Sequence, residues 1–240
     1  MQVRIHIHFA VAADRSRNEG ALALFTTWLA FIVALALPGS EITDAGSFLV
    51  GAVVGLAIVL AGFAAASRVR PIQARSNRDR AQYAAFALTL GIVGGLANLV
   101  ANYAIASRDP VLEQLLVSRF ATLGPLVGLV AAPITEEVTM RLFLMSGLAW
   151  LVSHATKTRS LAFGIAVVGA SIVFAALHLD RPMPADASLA TLYRAALMVK
   201  YTVISTLLGW AFWRWGLPYA ILCHATTNAT HMVIEPMVFG

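Results

Sequence analysis

Charged residues are scarce in this sequence: Asp, Glu, Lys and Arg make up only 12% of its 240 residues. A soluble domain usually has about 25% charged residues. Hydrophobic residues reach 59% of the chain, and its mean hydropathy is +0.78. This composition excludes an ordinary soluble domain and predicts that most of the chain lies in a lipid bilayer.

Cysteine is almost absent as well, since Cys223 is the only one. A single cysteine excludes an internal disulfide framework and any multi-cysteine metal site. We find no internal repeat either, which argues against the mirrored halves of many transporters. The net charge of +5 comes from basic residues that flank apolar runs, at residues 4–17 and 68–80 above all. That pattern is typical of cytoplasmic segments, so we expect a cytoplasmic N-terminus and no nucleic-acid partner.

The apolar residues gather in runs close to the length of about 20 residues that crosses a bilayer. About seven such runs occur, at residues 21–38, 46–67, 82–106, 120–151, 161–178, 193–213 and 217–238. The predicted fold is all-α: a polytopic transmembrane helix bundle of about seven to eight spans with an intramembrane active-site cavity. A polar N-terminal segment, residues 1–20, precedes one transmembrane domain, residues 21–240.

Two glutamates and an arginine interrupt the fourth run, at Glu136, Glu137 and Arg141. Ionisable groups at membrane depth cost about 2.5–3.5 kcal/mol each, so they usually face a cavity and carry out chemistry. Glu137 and Arg141 are four residues apart and share a helix face, where they can pair. Glu136 is rotated away from that face, so we expect it to be the carboxylate that exchanges a proton. A purely structural role for all three residues is the alternative.

Histidines lie in two other apolar runs: His178 ends the fifth run, and His224 lies a few residues into the seventh. His178 follows Phe174 by four residues, and His224 precedes Asn228 by four residues. Imidazole can assist a carboxylate in activating water or bind a metal, and the amide of Asn can donate to a developing oxyanion. A simple alternating topology puts His178 near the outer membrane face and His224 near the inner one. The two histidines can meet only if the fifth helix starts deeper or residues 179–192 re-enter the membrane.

The three motifs together, Glu-Glu-x-x-x-Arg, Phe-x-x-x-His and His-x-x-x-Asn in that order, resemble the CPBP family of intramembrane proteases. This family is also called the Abi or CAAX-protease family, and it includes the Ras-converting CAAX endopeptidase. The resemblance covers roughly residues 80–238. It implies that Glu136 activates water with the help of His178, and that His224 and Asn228 form the oxyanion hole. Glu137, Arg141 and Phe174 would order the site.

The resemblance implies no cofactor, although Glu136, His178 and His224 would also satisfy a zinc site with two His and one Glu. The expected function is hydrolysis of a peptide bond in a membrane-bound or lipid-modified protein, in CAAX-type or peptide-precursor processing. We expect an integral protein of a bacterial inner (plasma) membrane. Gly51 and Gly55 predict close helix packing, within the chain or in a homodimer. A non-catalytic immunity or scaffolding protein, or a proton- or metal-coupled transporter, are the alternatives.

Overall fold

The fold is built from helices alone. The computed structural model describes residues 22–34, 36, 45–69, 77–122, 126–180 and 182–239, and it has no strand among them. The polar segment at residues 1–20 lies outside the described residues. The helices are α1 (Leu22–Ala34), α2 (Ala45–Val69), α3 (Asn77–Ala106), α4 (Pro110–Thr122), α5 (residues 127–153), α6 (Arg159–Leu177), α7 (Ala187–Trp215) and α8 (Leu217–Phe239). The prediction of an all-α polytopic bundle is confirmed.

Four helices within the described ranges are long and apolar enough to cross a membrane, namely α2, α3, α6 and α7. The helix α1 is apolar but shorter, and α5 and α8 carry the polar motifs. In the part of the chain that the structure describes, each apolar run overlaps a helix, and the run at residues 120–151 extends through α5. The helix α4 had not been predicted, because its residues fall mainly in a connection between two runs.

Helix α8 packs most closely against α3, where glycines remove the side chains that would hold the helices apart. A Cβ atom on Gly91 would lie 2.6 Å from the Cys223 carbonyl oxygen, and one on Gly95 would lie 2.8 Å from the Thr227 carbonyl oxygen. Thr227 Oγ1 also donates to the Gly91 carbonyl at 3.2 Å. This contact fixes the helix that carries His224 and Asn228.

Helix α5 is continuous but is not a uniform α-helix. It passes from π-helical turns at Val127–Ala131 to α-helix at Ala132–Glu137, then to π-helix at Val138–Met145 and α-helix at Ser146–Ser153. Pro133 follows the first π segment. Proline has no N–H and its ring crowds the carbonyl four residues earlier, so a wider turn accommodates it. The paired glutamates therefore lie between two widened segments.

The first two helices cover one side of α5. Phe31 of α1 and Val59 of α2 form a buried apolar cluster with Val138 and Leu142 of α5. Gly55 packs directly against the Phe31 ring, so the contact made by this glycine lies within the chain. The homodimer stays a prediction.

The histidine of the fifth run lies at a break in the backbone. Helix α6 ends at Leu177, His178 is its C-cap, and α7 begins after the N-cap Asp186. Leu179 and Met183 of the connection pack against the buried apolar cluster that includes Tyr193. The connection thus packs against the bundle, and residues 187–192 are already part of α7. Re-entry of the connection into the membrane stays a prediction.

Candidate active site

The glutamates of α5 differ sharply in exposure. The side chains of Glu137 and Arg141 are 0% exposed, whereas 31% of the Glu136 side chain is accessible. Successive residues on a helix point about 100° apart. One carboxylate is therefore enclosed in the bundle, while its neighbour lies at an accessible surface.

Glu137 is the centre of a buried polar network. Arg141 donates from Nε to Glu137 Oε2 at 3.1 Å and from Nη2 to Ser205 Oγ at 2.8 Å. His224 Nδ1 lies 3.0 Å from Glu137 Oε1. The predicted pairing of Glu137 with Arg141 is present, and Ser205 ties the pair to α7. The sequence did not predict the role of Ser205. Its hydrogen bond joins it to a side chain 64 positions away, and no pattern in the sequence of α7 indicates such a bond.

The bonds made by Nδ1 orient both histidines. His178 Nδ1 lies 2.8 Å from the Phe174 carbonyl oxygen, which can only accept, so this nitrogen carries a proton. His224 Nδ1 faces a carboxylate that is paired with Arg141, so we assign a proton there as well. In the neutral form of each ring, Nε2 is then the bare nitrogen.

Both Nε2 atoms are directed at Glu136. Glu136 Oε2 lies 4.0 Å from His178 Nε2 and 3.8 Å from His224 Nε2. These separations exceed a direct hydrogen bond and suit contact through a water molecule. The structure therefore brings together one accessible carboxylate and two imidazoles from three different helices, the grouping expected from the sequence.

Phe174 packs in the middle of this group. Its ring centroid lies 4.2 Å from that of His178 and 6.4 Å from that of His224. The Arg141 guanidinium carbon lies 5.6 Å from its centroid. Phe174 thus contacts the buried ion pair on one side and the histidines on the other, which agrees with an ordering role.

Asn228 lies one turn beyond His224 on α8 and contacts the first widened turn of α5. Its Nδ2 donates to the Gly128 carbonyl at 2.8 Å. Within α5 the Ala132 amide bonds to Val127, five residues back, and the next amide along belongs to Pro133, which has no N–H. Asn228 therefore supplies the donor that the proline removes. Its second N–H could still serve an oxyanion.

A second buried polar cluster lies further along α8. Lys200 Nζ donates to Asn102 Oδ1 at 2.7 Å, and Asn102 Nδ2 lies 3.2 Å from Glu235 Oε1 and 2.8 Å from His231 Nε2. The four residues are at most 6% exposed. No local sequence pattern links Asn102 or Lys200 to His231.

The donor set bears on the zinc alternative. One carboxylate and two bare imidazole nitrogens are ligands that Zn²⁺ accepts at about 2.0–2.2 Å. Among the residues that the structure describes, no three His, Cys, Asp or Glu side chains are grouped closely enough to hold a metal ion.

Comparison with known proteins returns one match. Residues 118–230 match the model of a family described as type II CAAX prenyl endopeptidase Rce1-like. No curated protein and no solved structure matches the chain. The matched residues include all three motifs, and the resemblance predicted from these motifs is confirmed.

Proposed function

Because residues 118–230 form an Rce1-like domain of the CAAX protease family, we propose that this chain is an intramembrane endopeptidase with Glu136 as its general base. The single observation that carries the proposal is the position of Glu136. It is the accessible carboxylate of the motif, and its Oε2 lies about equally far from the Nε2 atoms of His178 and His224, at 4.0 and 3.8 Å.

In the proposed reaction, a water molecule occupies the space between Glu136 and His178. Glu136 takes one proton as the water oxygen attacks the peptide carbonyl carbon. The carbonyl oxygen becomes negative and accepts hydrogen bonds from the second N–H of Asn228 and from His224 in its doubly protonated form. Glu136 then passes the proton to the leaving amine, directly or through His178, as the C–N bond breaks. The acyl product has then gained the OH group of the water, and the amine product has gained its other hydrogen.

The buried network has a supporting role in this scheme. Glu137 holds Nδ1 of His224, and Arg141 and Ser205 hold Glu137. A carboxylate that fixes the proton-bearing nitrogen of an imidazole also fixes which nitrogen faces the reaction. The network therefore sets the orientation of His224 without contacting the reacting atoms.

The proposed substrate is a membrane-bound or lipid-modified protein or peptide. The matching family is described as type II CAAX prenyl endopeptidase Rce1-like, which supports a prenylated CAAX end as the substrate. The basic residues at 4–17 and 68–80 favour a cytoplasmic N-terminus. The proposed location is a bacterial plasma membrane. Processing of a peptide precursor is the second substrate class.

The experiment compares the termini of membrane proteins in cells that express wild type or Glu136→Gln at matched levels. Glu113→Gln, which changes an exposed carboxylate on α4, is the control. A terminus that is lost only in Glu136→Gln supports proteolysis and identifies the substrate. If every terminus persists while Glu136→Gln restores a deletion phenotype, the chain is a non-catalytic scaffolding or immunity protein.

The role of a metal is tested on the same substrate. We propose that the reaction needs none, and treatment with a chelator of Zn²⁺ should leave the cleavage rate unchanged. Loss of cleavage on chelation, with recovery on adding Zn²⁺, would instead support binding of the metal by Glu136, His178 and His224.

A further inference from the structure

Tyr201 on α7 contacts the candidate catalytic histidine, although no motif marks it. Its ring centroid lies 4.5 Å from that of His178, with the ring planes tilted by 31°. Phe174 contacts the same imidazole at 4.2 Å, and the centroids of Phe174 and Tyr201 are 6.4 Å apart. The three distances form a triangle with about a right angle at His178, so the aromatic rings form a corner that encloses the imidazole.

His178 needs such a support because of where it lies. It is the C-cap of α6, and the backbone beyond it is not helical. Its Nδ1 bond to the Phe174 carbonyl fixes one end of the ring. Rotation of the imidazole about its Cβ–Cγ bond would move Nε2 away from Glu136. The Phe174 and Tyr201 rings that pack around the imidazole oppose this rotation.

The buried cluster along α8 holds the α7 segment that carries Tyr201. Lys200 Nζ lies 4.5 Å from the centroid of the Tyr201 ring and donates to Asn102 Oδ1 at 2.7 Å. Asn102 in turn contacts His231 and Glu235 of α8. The cluster therefore fixes α7 to α3 and α8 at the residue that neighbours Tyr201.

We infer that Tyr201 is a positioning residue for His178, and that Lys200 and Asn102 hold its ring in place. This inference rests on the proposed function, because it assigns Tyr201 a part in the same site. The contact with His178 is made by the Tyr201 ring. Tyr201→Phe should therefore preserve it, whereas Tyr201→Leu should remove it.

The first readout does not depend on activity. Diethyl pyrocarbonate modifies unprotonated imidazole nitrogens, and mass spectrometry of the peptide that contains His178 gives the rate. Removing the ring in Tyr201→Leu should speed modification of His178 several-fold, and Tyr201→Phe should match wild type. The exposed His154 is an internal reference whose rate should not change. Val203→Ala, at a residue of α7 that is 53% exposed, is the matched control.

The second readout is cleavage of the substrate in detergent micelles. Tyr201→Leu should lower kcat by about 10-fold with KM nearly unchanged, since an aromatic contact of this kind is lost. The pH profile of kcat should change in Tyr201→Leu and recover in Tyr201→Phe. A uniform loss of folded protein would not alter the pH profile.

The outcomes separate this inference from the proposed function. Suppose that neither wild type nor any variant cleaves the substrate, but that diethyl pyrocarbonate modifies His178 faster in Tyr201→Leu alone. The positioning role then stands and the proposed function fails. If His178 reacts at the same rate in all variants, or if Tyr201→Phe is as impaired as Tyr201→Leu, the positioning role is wrong.

Discussion

Replacing Arg141 with alanine should lower the free energy of unfolding by about 3–5 kcal/mol, the usual cost of removing one member of a buried ion pair. Both side chains of the pair are 0% exposed, so solvent cannot replace the lost cation. Glu137 would keep only His224 as a partner, and Ser205 would lose the guanidinium nitrogen that now lies 2.8 Å from its hydroxyl.

Three further variants fix the scale of this effect. Ser205→Ala removes one hydrogen bond to a charged group and should cost about 1.5–3 kcal/mol. Glu136→Gln changes a side chain of the same shape that is 31% exposed, and it should stay within about 0.5 kcal/mol of wild type. The double variant Glu137→Gln with Arg141→Met leaves no lone buried charge, so it should lose less than Arg141→Ala alone.

The assay is unfolding by sodium dodecyl sulfate in mixed micelles, followed by tryptophan fluorescence and circular dichroism. The expected order of stability loss is Arg141→Ala, then Ser205→Ala, then Glu136→Gln. Equal losses in Arg141→Ala and Glu136→Gln would refute the division between a structural and a reactive carboxylate. A double variant less stable than Arg141→Ala would refute the argument from a lone buried charge.

Two other predictions concern the ends and turns of the helices. Asn228→Ala should lower the free energy of unfolding by about 1–3 kcal/mol, because the Gly128 carbonyl loses its donor. Adding Pro133→Ala restores a backbone N–H next to that carbonyl. The double variant should therefore recover stability but not cleavage. Failure of the double variant to regain stability in the micelle assay would contradict this account. Bonds from Ser188 and the Leu189 amide hold the pKa of Asp186 below its ordinary value. The stability that this N-cap adds to α7 is therefore present above the unfolded-state pKa and is lost as pH falls through the folded-state value. Hydrogen exchange of the first turn of α7, corrected for intrinsic rates, should show that loss in wild type and not in Asp186→Asn.

Much of the fold and the core of the site follow from local patterns. Long apolar runs predict helices because a bilayer leaves no other partner for backbone groups. The i,i+4 spacing of Glu137 and Arg141 predicts their pairing, because both lie on one helix face. The resemblance that the three motifs carry implies that their helices meet. The helices and the ion pair need only the sequence neighbours of each residue.

The remaining features depend on tertiary contacts that have no local signature. No sequence pattern distinguishes Ser205 and Tyr201 from the other residues of α7. Their roles come from contacts with α5 and with the end of α6. The meeting of His178 with His224 contradicts a simple alternation of straight spans. It requires the break after Leu177 and the packing of the half-buried Leu179 and Met183 against the bundle, which hydropathy does not reveal. Hydropathy likewise does not reveal the widened turns of α5.

The most direct measurement is hydrolysis of a prenylated CAAX peptide by the purified protein in liposomes, with the products identified by mass spectrometry. Wild type should release the residues beyond the modified cysteine. Glu136→Gln should lower kcat by about 10²–10⁴-fold, the range for a lost general base, while remaining as stable as wild type. Hydrolysis at the wild-type rate by Glu136→Gln would contradict the assignment of Glu136 as the base that activates water.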